Sequence, residues 1–140
     1  MKNKLVILFA VLTLIAASLA CSAVSFGEPT LDNVRMAKDQ DGKELTSVFS
    51  TTDTVYVVSD LSNGKSGDVV SSKWYAINVE NTEPNLMFDE ANINIDQDGF
   101  DGNVYFYYPP PVDGVWPKGT YKVEIYYNDV LIDTADFSIE

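Results

Sequence analysis

The sequence predicts an all-β protein folded as an antiparallel sandwich of seven to eight strands. From Pro29 onward, runs of β-forming residues recur between clusters of Gly, Asn, Asp and Pro, and no sustained helical periodicity interrupts them. Seven or eight short strands in about 110 residues, separated by turn residues, are typical of a sandwich. The length of 140 residues indicates one domain, and 46% hydrophobic with 21% charged residues is the composition of a folding chain.

Eight segments are the predicted strands, and residues that favour turns separate them. In chain order they are Val34–Ala37, Thr46–Ser50, Thr54–Asp60, Val69–Val79, Ala91–Ile95, Val104–Tyr108, Tyr121–Tyr127 and Val130–Ile139. Turns are predicted at Asp39–Gly42, Ser62–Gly67 and Asp96–Gly99. Pro109–Pro111 ends the sixth segment because proline cannot donate to a β-ladder. Asn128–Asp129 predicts a hairpin between the last two segments.

Side chains alternate between the two faces of a strand, so the apolar pattern predicts which face is buried. The predicted buried residues of the last two segments are Tyr121, Val123, Ile125 and Tyr127, followed by Ala135, Phe137 and Ile139. Trp74 lies in the middle of the longest segment, where its indole is predicted to fill the space between two sheets. Burial at about 1.5–3 kcal/mol per large apolar side chain can stabilise a domain of this size without disulfides.

The N-terminus has the pattern of an export signal. Lys2 and Lys4 precede an uncharged run at 5–17, which is shorter than the roughly 18 apolar residues of a spanning helix. Residues 18–21 resemble the lipobox of bacterial lipoprotein signal peptides, which implies cleavage before Cys21 and its acylation. Ser18 stands where that motif commonly has leucine, and Ser18 with Ala20 also fits ordinary signal-peptidase cleavage. An uncleaved anchor is the third alternative.

The predicted organisation is a signal peptide at 1–20, a lipidated Cys21 with a short tether at 21–28, and one domain at 29–140. Acyl chains on Cys21 would hold the protein at a membrane of the cell envelope, outside the cytoplasm, without a spanning segment. Without residues 1–20, the chain has seven basic and 21 acidic side chains, a net charge of −14. Attraction to anionic lipid would therefore not assist the anchor.

The final hairpin resembles that of a known fold family. Residues 116–139 resemble the terminal hairpin of immunoglobulin-like domains in bacterial envelope proteins, which often reads Gly-x-Tyr-x-Val-x-Ile-Tyr, a short turn, then Leu-x-x-Thr-x-x-Phe-x-Ile. The matching residues are Gly119, Tyr121, Val123, Ile125, Tyr126, Leu131, Thr134, Phe137 and Ile139. The resemblance implies an immunoglobulin-like sandwich in a bacterial envelope lipoprotein. Such domains serve adhesion, scaffolding and substrate presentation, so the resemblance leaves the function open.

The composition excludes several classes of function. An acidic surface repels phosphate backbones, so nucleic acid is not a predicted partner. The chain has no histidine, which excludes Ser-His-Asp centres and histidine-ligated zinc, and one cysteine, which excludes an internal disulfide. No carboxylate pair for glycoside hydrolysis can be singled out among 21 acids, and a small sandwich has little room for a substrate cleft. We therefore predict no enzymatic activity.

The acidic stretch at 94–102 is the sharpest motif. Four of its residues match positions 1, 3, 5 and 6 of an EF-hand-like calcium loop: Asn94, Asp96, Asp98 and Gly99. Position 12 is Tyr105 instead of Glu, and no helix flanks the loop, which excludes a true EF-hand. Two interpretations remain: a looser calcium site formed by Asp96, Asp98 and Asp101, or a solvated turn, since turns favour Asp and Gly.

An aromatic run is the second candidate site. Alternation places Tyr105 and Tyr107 on the face opposite Phe106 and Tyr108, so one pair is predicted to face outward. With Trp116 nearby, outward rings could stack on sugars or anchor a protein partner. Alternatively, these tyrosines are half-buried strand residues and Trp116 closes one end of the sandwich.

Together these features predict a non-catalytic, lipid-anchored extracytoplasmic module for protein interaction or envelope structure. The alternative is a surface module that binds carbohydrate through Tyr105, Tyr107 and Trp116, or calcium through the acidic stretch. No cofactor is predicted apart from calcium in that alternative, and the predicted partners are the membrane, through the lipid anchor, and a protein or a glycan.

Overall fold

A computed structural model describes residues 27–111 and 113–140, and its regular secondary structure consists of eight β-strands. They are β1 (Thr30–Ala37), β2 (Val48–Phe49), β3 (Val55–Gly64), β4 (Val69–Val79), β5 (Leu86–Asn94), β6 (Phe100–Tyr108), β7 (Gly119–Tyr127) and β8 (Val130–Ile139). The predicted signal peptide, Cys21 and most of the tether lie outside the described residues. Within the described ranges, no helix has the length and apolar character needed to cross a membrane.

The strands form two sheets, one with the order β1-β3-β6 and one with the order β2-β8-β7-β4-β5. Neighbouring strands are antiparallel, and the short β2 pairs in parallel with the end of β8. The neighbours β4, β7 and β8 correspond to the C, F and G strands of an immunoglobulin domain. The predicted all-β, immunoglobulin-like sandwich of seven to eight strands is confirmed.

The core lies between the sheets and is rich in aromatic side chains. Trp74 on β4 is buried, as predicted, and its ring centroid lies 6.0 Å from that of Phe137 on β8. Its indole Nε1 donates a hydrogen bond of 3.0 Å to Ser72 Oγ, which also gives this buried hydroxyl a partner. Burying Trp74 therefore leaves no polar atom of the indole without a hydrogen bond.

Tyr121, near the start of β7, joins the core to the preceding loop. Its hydroxyl donates a hydrogen bond of 2.6 Å to the carbonyl oxygen of Pro117, four residues upstream. Its ring stacks on Phe137 with centroids 5.2 Å apart and planes 10° apart. This arrangement is the tyrosine corner of immunoglobulin domains, which fixes the chain at the entry to this strand. Burial raises the pKa of Tyr121 to about 12.

The hairpin predicted at Asn128–Asp129 is confirmed. Both residues have positive φ, 47° and 66°, as a two-residue type I′ turn requires. Asn128 bonds to the end of the β3–β4 loop and to the first residue of β4: its Nδ2 donates to Asp68 Oδ1 at 2.9 Å, and its Oδ1 accepts from Val69 N at 2.9 Å. The Tyr127 hydroxyl donates to the other oxygen of the same carboxylate. These bonds bring two connections together at one end of the sandwich.

Four strands begin earlier than the sequence predicts: β1 at Thr30, β5 at Leu86, β6 at Phe100 and β7 at Gly119. β5 starts at Leu86, five residues before Ala91, and a bulge opposite Trp74 and Tyr75 breaks the alternation that would reveal it. β6 starts at Phe100, four residues before Val104. The residues between them favour turns, but their backbone pairs with β3. Asp101 and Gly102 are therefore in a strand, not in the loop predicted for them.

Candidate functional site

One side of the sandwich is open. β5 ends the five-stranded sheet and β6 ends the three-stranded sheet, so each has one long edge without a strand partner in the described part of the chain. A groove of about 520 Å³ runs between these two edge strands. We call it the edge groove, and it is the candidate functional site.

The edge groove has an apolar floor and acidic groups at its margin. Ala91 and Ile93 on β5 and Phe100 on β6 are half-buried there, above the indole of Trp74. Polar side chains also line it: Asp89, Asn92, Asn94, Asp96 and Asn103. The lining contains two aspartates and no lysine or arginine, so its charged groups are all negative. An apolar floor with a few polar groups is typical of a binding site.

The structure brings Tyr105 and Tyr107 to the β6 wall of the edge groove. Both are exposed, Tyr107 to 59%, while Phe106 points into the core, as the alternation predicts. Tyr56 on β3 joins them on the outer face, with its ring centroid 6.2 Å from Tyr105 and 5.8 Å from Tyr107. We call Tyr56, Tyr105 and Tyr107 the tyrosine cluster. Tyr56 was not a predicted site residue, although alternation with the buried Val55 and Val57 places it on this outer face.

Trp116 does not belong to a ligand-binding surface. It is only 1% exposed, and its ring lies 5.4 Å from Tyr121 in the core. Its backbone N donates to Thr51 O at 2.7 Å, and its Nε1 donates to Asp53 O at 3.0 Å. The inclusion of Trp116 among the ligand-surface residues is wrong, because these bonds hold the ring inward. The alternative, that it closes one end of the sandwich, agrees with the structure.

The three predicted calcium ligands are not assembled into a metal site. Asp96 lines the edge groove, whereas Asp98 Oδ1 accepts from Ser66 N at 3.0 Å and Asp101 Oδ1 accepts from Asn63 N at 2.8 Å. No group of three or more His, Cys, Asp or Glu side chains that could hold a metal ion occurs in residues 27–111 and 113–140. In the described residues, Asp96, Asp98 and Asp101 therefore do not form a preformed calcium site.

Asp98 and Asp101 have a structural role instead. Asp98, in the β5–β6 connection, bonds to the loop after β3, and Asp101, near the start of β6, bonds to the end of β3. Two backbone bonds reinforce this link, from Gly67 N to Ile95 O at 2.9 Å and from Ile95 N to Asp68 O at 2.8 Å. The acidic stretch therefore closes one end of the edge groove by tying two loops together.

A second polar network covers the outer face of the five-stranded sheet. Lys122 Nζ lies 3.0 Å from Glu124 Oε1 and 4.6 Å from the centre of the Tyr75 ring. The Tyr126 hydroxyl donates to Glu124 Oε2 at 2.5 Å, and Lys73 Nζ lies 4.7 Å from the Tyr126 ring centre. The bond from Tyr126, with help from Lys122, holds the pKa of Glu124 below its ordinary value. The charged groups of this network therefore have partners on the face itself, whereas no lysine or arginine lines the edge groove beside Asp89 and Asp96.

Comparison with solved structures identifies the fold. An immunoglobulin-like protein from Pseudomonas aeruginosa matches with a TM-score of 0.55 and 14% identity, over 83% of this chain and 99% of that chain. β-Glucosidase 3B from Thermotoga neapolitana matches with a TM-score of 0.50 and 15% identity, over 83% of this chain. A β-glucosidase from Listeria innocua matches with a TM-score of 0.51 and 10% identity, over 80% of this chain.

The chain spans only 16% of each glucosidase chain, and at these identities the likeness concerns the fold alone. A scan of protein-family models gave no match, and a search of curated proteins gave none either. The immunoglobulin-like fold is therefore shared with proteins of different activities, and the function has to be argued from the site.

Proposed function

We propose that this protein is a non-catalytic, lipid-anchored module of the cell envelope that binds a protein partner through the edge groove. The observation that carries the proposal is the pair of unpartnered sheet edges, β5 and β6, on either side of an apolar floor. The partner segment is extended and basic. The backbone of the groove favours an extended segment, and the charge of the groove favours a basic one.

The backbone of an edge strand favours an extended ligand. Alternate N–H and C=O groups of such a strand point away from its sheet and can pair with an added strand. Side chains of the added strand would alternate between solvent and the floor formed by Ala91, Ile93 and Phe100. Main-chain bonds then supply affinity, and the floor selects apolar residues at alternate positions.

The charge of the site favours a basic ligand. Asp89 and Asp96 line the edge groove without a compensating cation among the lining residues. The chain after residue 20 carries a net charge of −14, and this charge attracts cationic segments over a longer range. Lysine or arginine in the partner would match the acidic margin of the edge groove, and neighbouring apolar residues would match its floor.

The remaining parts of the proposal come from the sequence and the fold class. The lipobox-like residues 18–21 support acylation of Cys21 and attachment to a membrane. A chain without histidine, built as a compact sandwich, supports a binding role over a catalytic one. Incorporation of labelled palmitate into the full chain, lost in Cys21→Ser, tests the anchor separately from the groove.

Selection of peptides from a random extended library tests the groove. Peptides enriched on the protein should combine basic with alternating apolar residues. Asp89→Lys with Asp96→Lys should weaken their binding by about tenfold or more, since it removes the matching charge. Glu80→Lys with Glu83→Lys is the matched control, because these exposed glutamates lie in the β4–β5 connection, outside the groove lining. Equal binding by both double variants would refute the groove as the site.

Carbohydrate binding is the second candidate, supported by the tyrosine cluster. Tyr107 is 59% exposed beside Tyr56 and Tyr105, and such rings can stack on the C–H face of a sugar. Titration with a glycan panel should quench tyrosine fluorescence if the cluster binds sugar. Tyr107→Ala should abolish that response and Tyr107→Phe should retain it, because phenylalanine keeps the ring. A flat titration across the panel would eliminate this candidate.

A further inference from the structure

The turn between β7 and β8 leads into three consecutive exposed apolar residues. Val130, Leu131 and Ile132 are 63%, 50% and 38% exposed. Ile132 is the extra residue of a β-bulge, since Ile125 pairs with Asp133 and Tyr126 pairs with Leu131. We call Val130–Ile132 the apolar tip. β2 pairs with β8 only at Ser138 and Ile139, so Val130–Ile132 lie on a stretch of β8 that has no strand partner on that side in the described part of the chain. Consecutive large apolar residues on such a stretch are unusual on a soluble surface, and they mark a surface that another body covers.

The apolar tip lies at the end of the sandwich where the chain enters. β1 and β8 both run away from this end, and their middle sections border the same depression, with Val34–Met36 on one side and Thr134–Asp136 on the other. Gly27, just before β1, lies beside the side chain of Asn63 at the end of β3. The loop after β3 is in turn bonded to the turn that precedes the apolar tip.

The length of the tether limits how far this end can be from an anchor. Cys21 and Gly27 are six residues apart in the sequence. Fully extended, six residues span at most about 20–22 Å, since each residue adds about 3.3–3.6 Å. A chain anchored at Cys21 would therefore keep the entry end of the sandwich, and the apolar tip with it, within about one domain width of the membrane.

We propose that the apolar tip rests on the lipid surface and fixes the orientation of the anchored domain. This inference depends on the lipid anchor of the proposed function. The tip inserts Val130 and Leu131 at the boundary between headgroups and acyl chains, where apolar side chains are removed from water. The opposite end of the sandwich then points away from the membrane, and the edge groove, which runs along one side, stays open to a partner.

The charges beside the apolar tip predict which lipids it prefers. Asp129 and Asp133 flank it and are exposed, and anionic headgroups would repel them. The tip should therefore rest on a neutral, zwitterionic surface more readily than on an anionic one. A basic surface patch would have predicted the reverse.

Site-specific labelling tests the proposal on the full chain, purified from membranes in detergent and reconstituted in phosphatidylcholine vesicles. Acylation blocks the thiol of Cys21, so the introduced cysteine of Leu131→Cys is the one that takes an environment-sensitive dye. Val115→Cys is the matched control, because Val115 is 45% exposed and lies in the β6–β7 connection at the opposite end. We expect blue-shifted emission, quenched by lipids with brominated acyl chains, at position 131 and not at 115. Adding phosphatidylglycerol should reduce the shift.

Equal emission and equal quenching at the two positions would overturn the proposal. A shift at position 131 that appears without vesicles and grows with protein concentration would also overturn it, since a second copy would then cover the tip. Failure of the anchor has a different signature, because the parent chain would take up the dye at a free Cys21. In that event Cys21→Ser variants, held on nickel-chelating lipids by an N-terminal histidine tag, give the same comparison of positions 131 and 115.

Discussion

The hydroxyl of Tyr121 lies 2.6 Å from the carbonyl oxygen of Pro117, and this bond joins the start of β7 to the loop that carries the buried Trp116. The Tyr121 ring contacts Trp116 and Phe137, with centroids 5.4 Å and 5.2 Å away. A single side chain thus links a loop, a strand and the aromatic core. The loop can hold Trp116 inward because Tyr121 fixes the point at which the loop rejoins the sheet.

Removing that hydroxyl should destabilise the fold. Tyr121→Phe keeps the ring packing but leaves the Pro117 carbonyl without its partner, which should cost about 1–2 kcal/mol of unfolding free energy. Urea denaturation followed by tryptophan fluorescence measures the loss. Tyr107→Phe serves as the control, because its hydroxyl is on an exposed ring and its removal should leave stability unchanged. Equal stability of the two variants would show that the bond contributes nothing.

Alkaline pH should destabilise the protein by ionising the hydroxyls of Tyr121 and Tyr126. Burial raises the pKa of Tyr121 to about 12, and the bond to Glu124 raises the pKa of Tyr126 to about 12, both above the ordinary value of 10.0. The folded state therefore favours the neutral hydroxyls. Their stabilising effect is complete below pH 10 and is lost as the pH rises toward 12. Melting temperatures between pH 8 and pH 11.5 should fall above pH 10, and less steeply in Tyr121→Phe.

At acid pH the outer-face network should show the opposite dependence. The pKa of Glu124 is lowered, chiefly by the bond from Tyr126, so its carboxylate stabilises the fold above its ordinary pKa of 4.5. That stabilisation is lost as the pH falls through the lowered value. Glu124→Gln should cost about 1 kcal/mol at pH 7, and the difference from the parent should narrow below pH 4.5. If the difference in unfolding free energy between Glu124→Gln and the parent did not change with pH, the charge of Glu124 would not be the source of the stabilisation.

Gly119 is a position where only glycine fits. Its φ is 149°, and an added Cβ would lie 2.4 Å from the carbonyl oxygen of Asn78 on β4. Gly119→Ala should therefore cost about 2–4 kcal/mol, from backbone strain and a clash with a main-chain atom that cannot rotate away. Gly67→Ala is the comparison, since Gly67 also has positive φ, 92°, but open space around it, and should cost about 1 kcal/mol. Both variants carry the strain of a positive φ, and only Gly119→Ala also carries the clash. The difference between their denaturation midpoints therefore measures the clash.

The sequence predicts this fold well where its signal is local. β4 and β8 have the predicted bounds because long runs of β-branched and aromatic residues define them. The sequence allows both an exposed Trp116 and one that closes the end of the sandwich. Local patterns cannot show which residues hold it inward, since its partners Thr51 and Asp53 are more than sixty residues away in the chain. They cannot show the edge groove either, because nothing local shows that β5 and β6 end different sheets on the same side. Alternation predicts that Tyr105 and Tyr107 share the face opposite Phe106 and Tyr108, and the structure shows that the first pair is the exposed one.

Calcium provides the last test, and here the structure changes the expectation. Asp98 and Asp101 each use Oδ1 to accept a backbone hydrogen bond, at 3.0 Å and 2.8 Å, and these bonds direct the two carboxylates to different partners. Together with Asp96 they do not form a group that could hold a metal ion in residues 27–111 and 113–140. Millimolar calcium should therefore raise the melting temperature no more than magnesium does. Asp98→Ala should lower it in the absence of any metal, by the loss of about 1–2 kcal/mol from the bond to Ser66 N. Asp96→Ala is the control, because Asp96 lines the groove and its loss should leave stability nearly unchanged. A rise specific to calcium that Asp98→Ala abolishes would instead mean that the two loops part and rearrange around the ion.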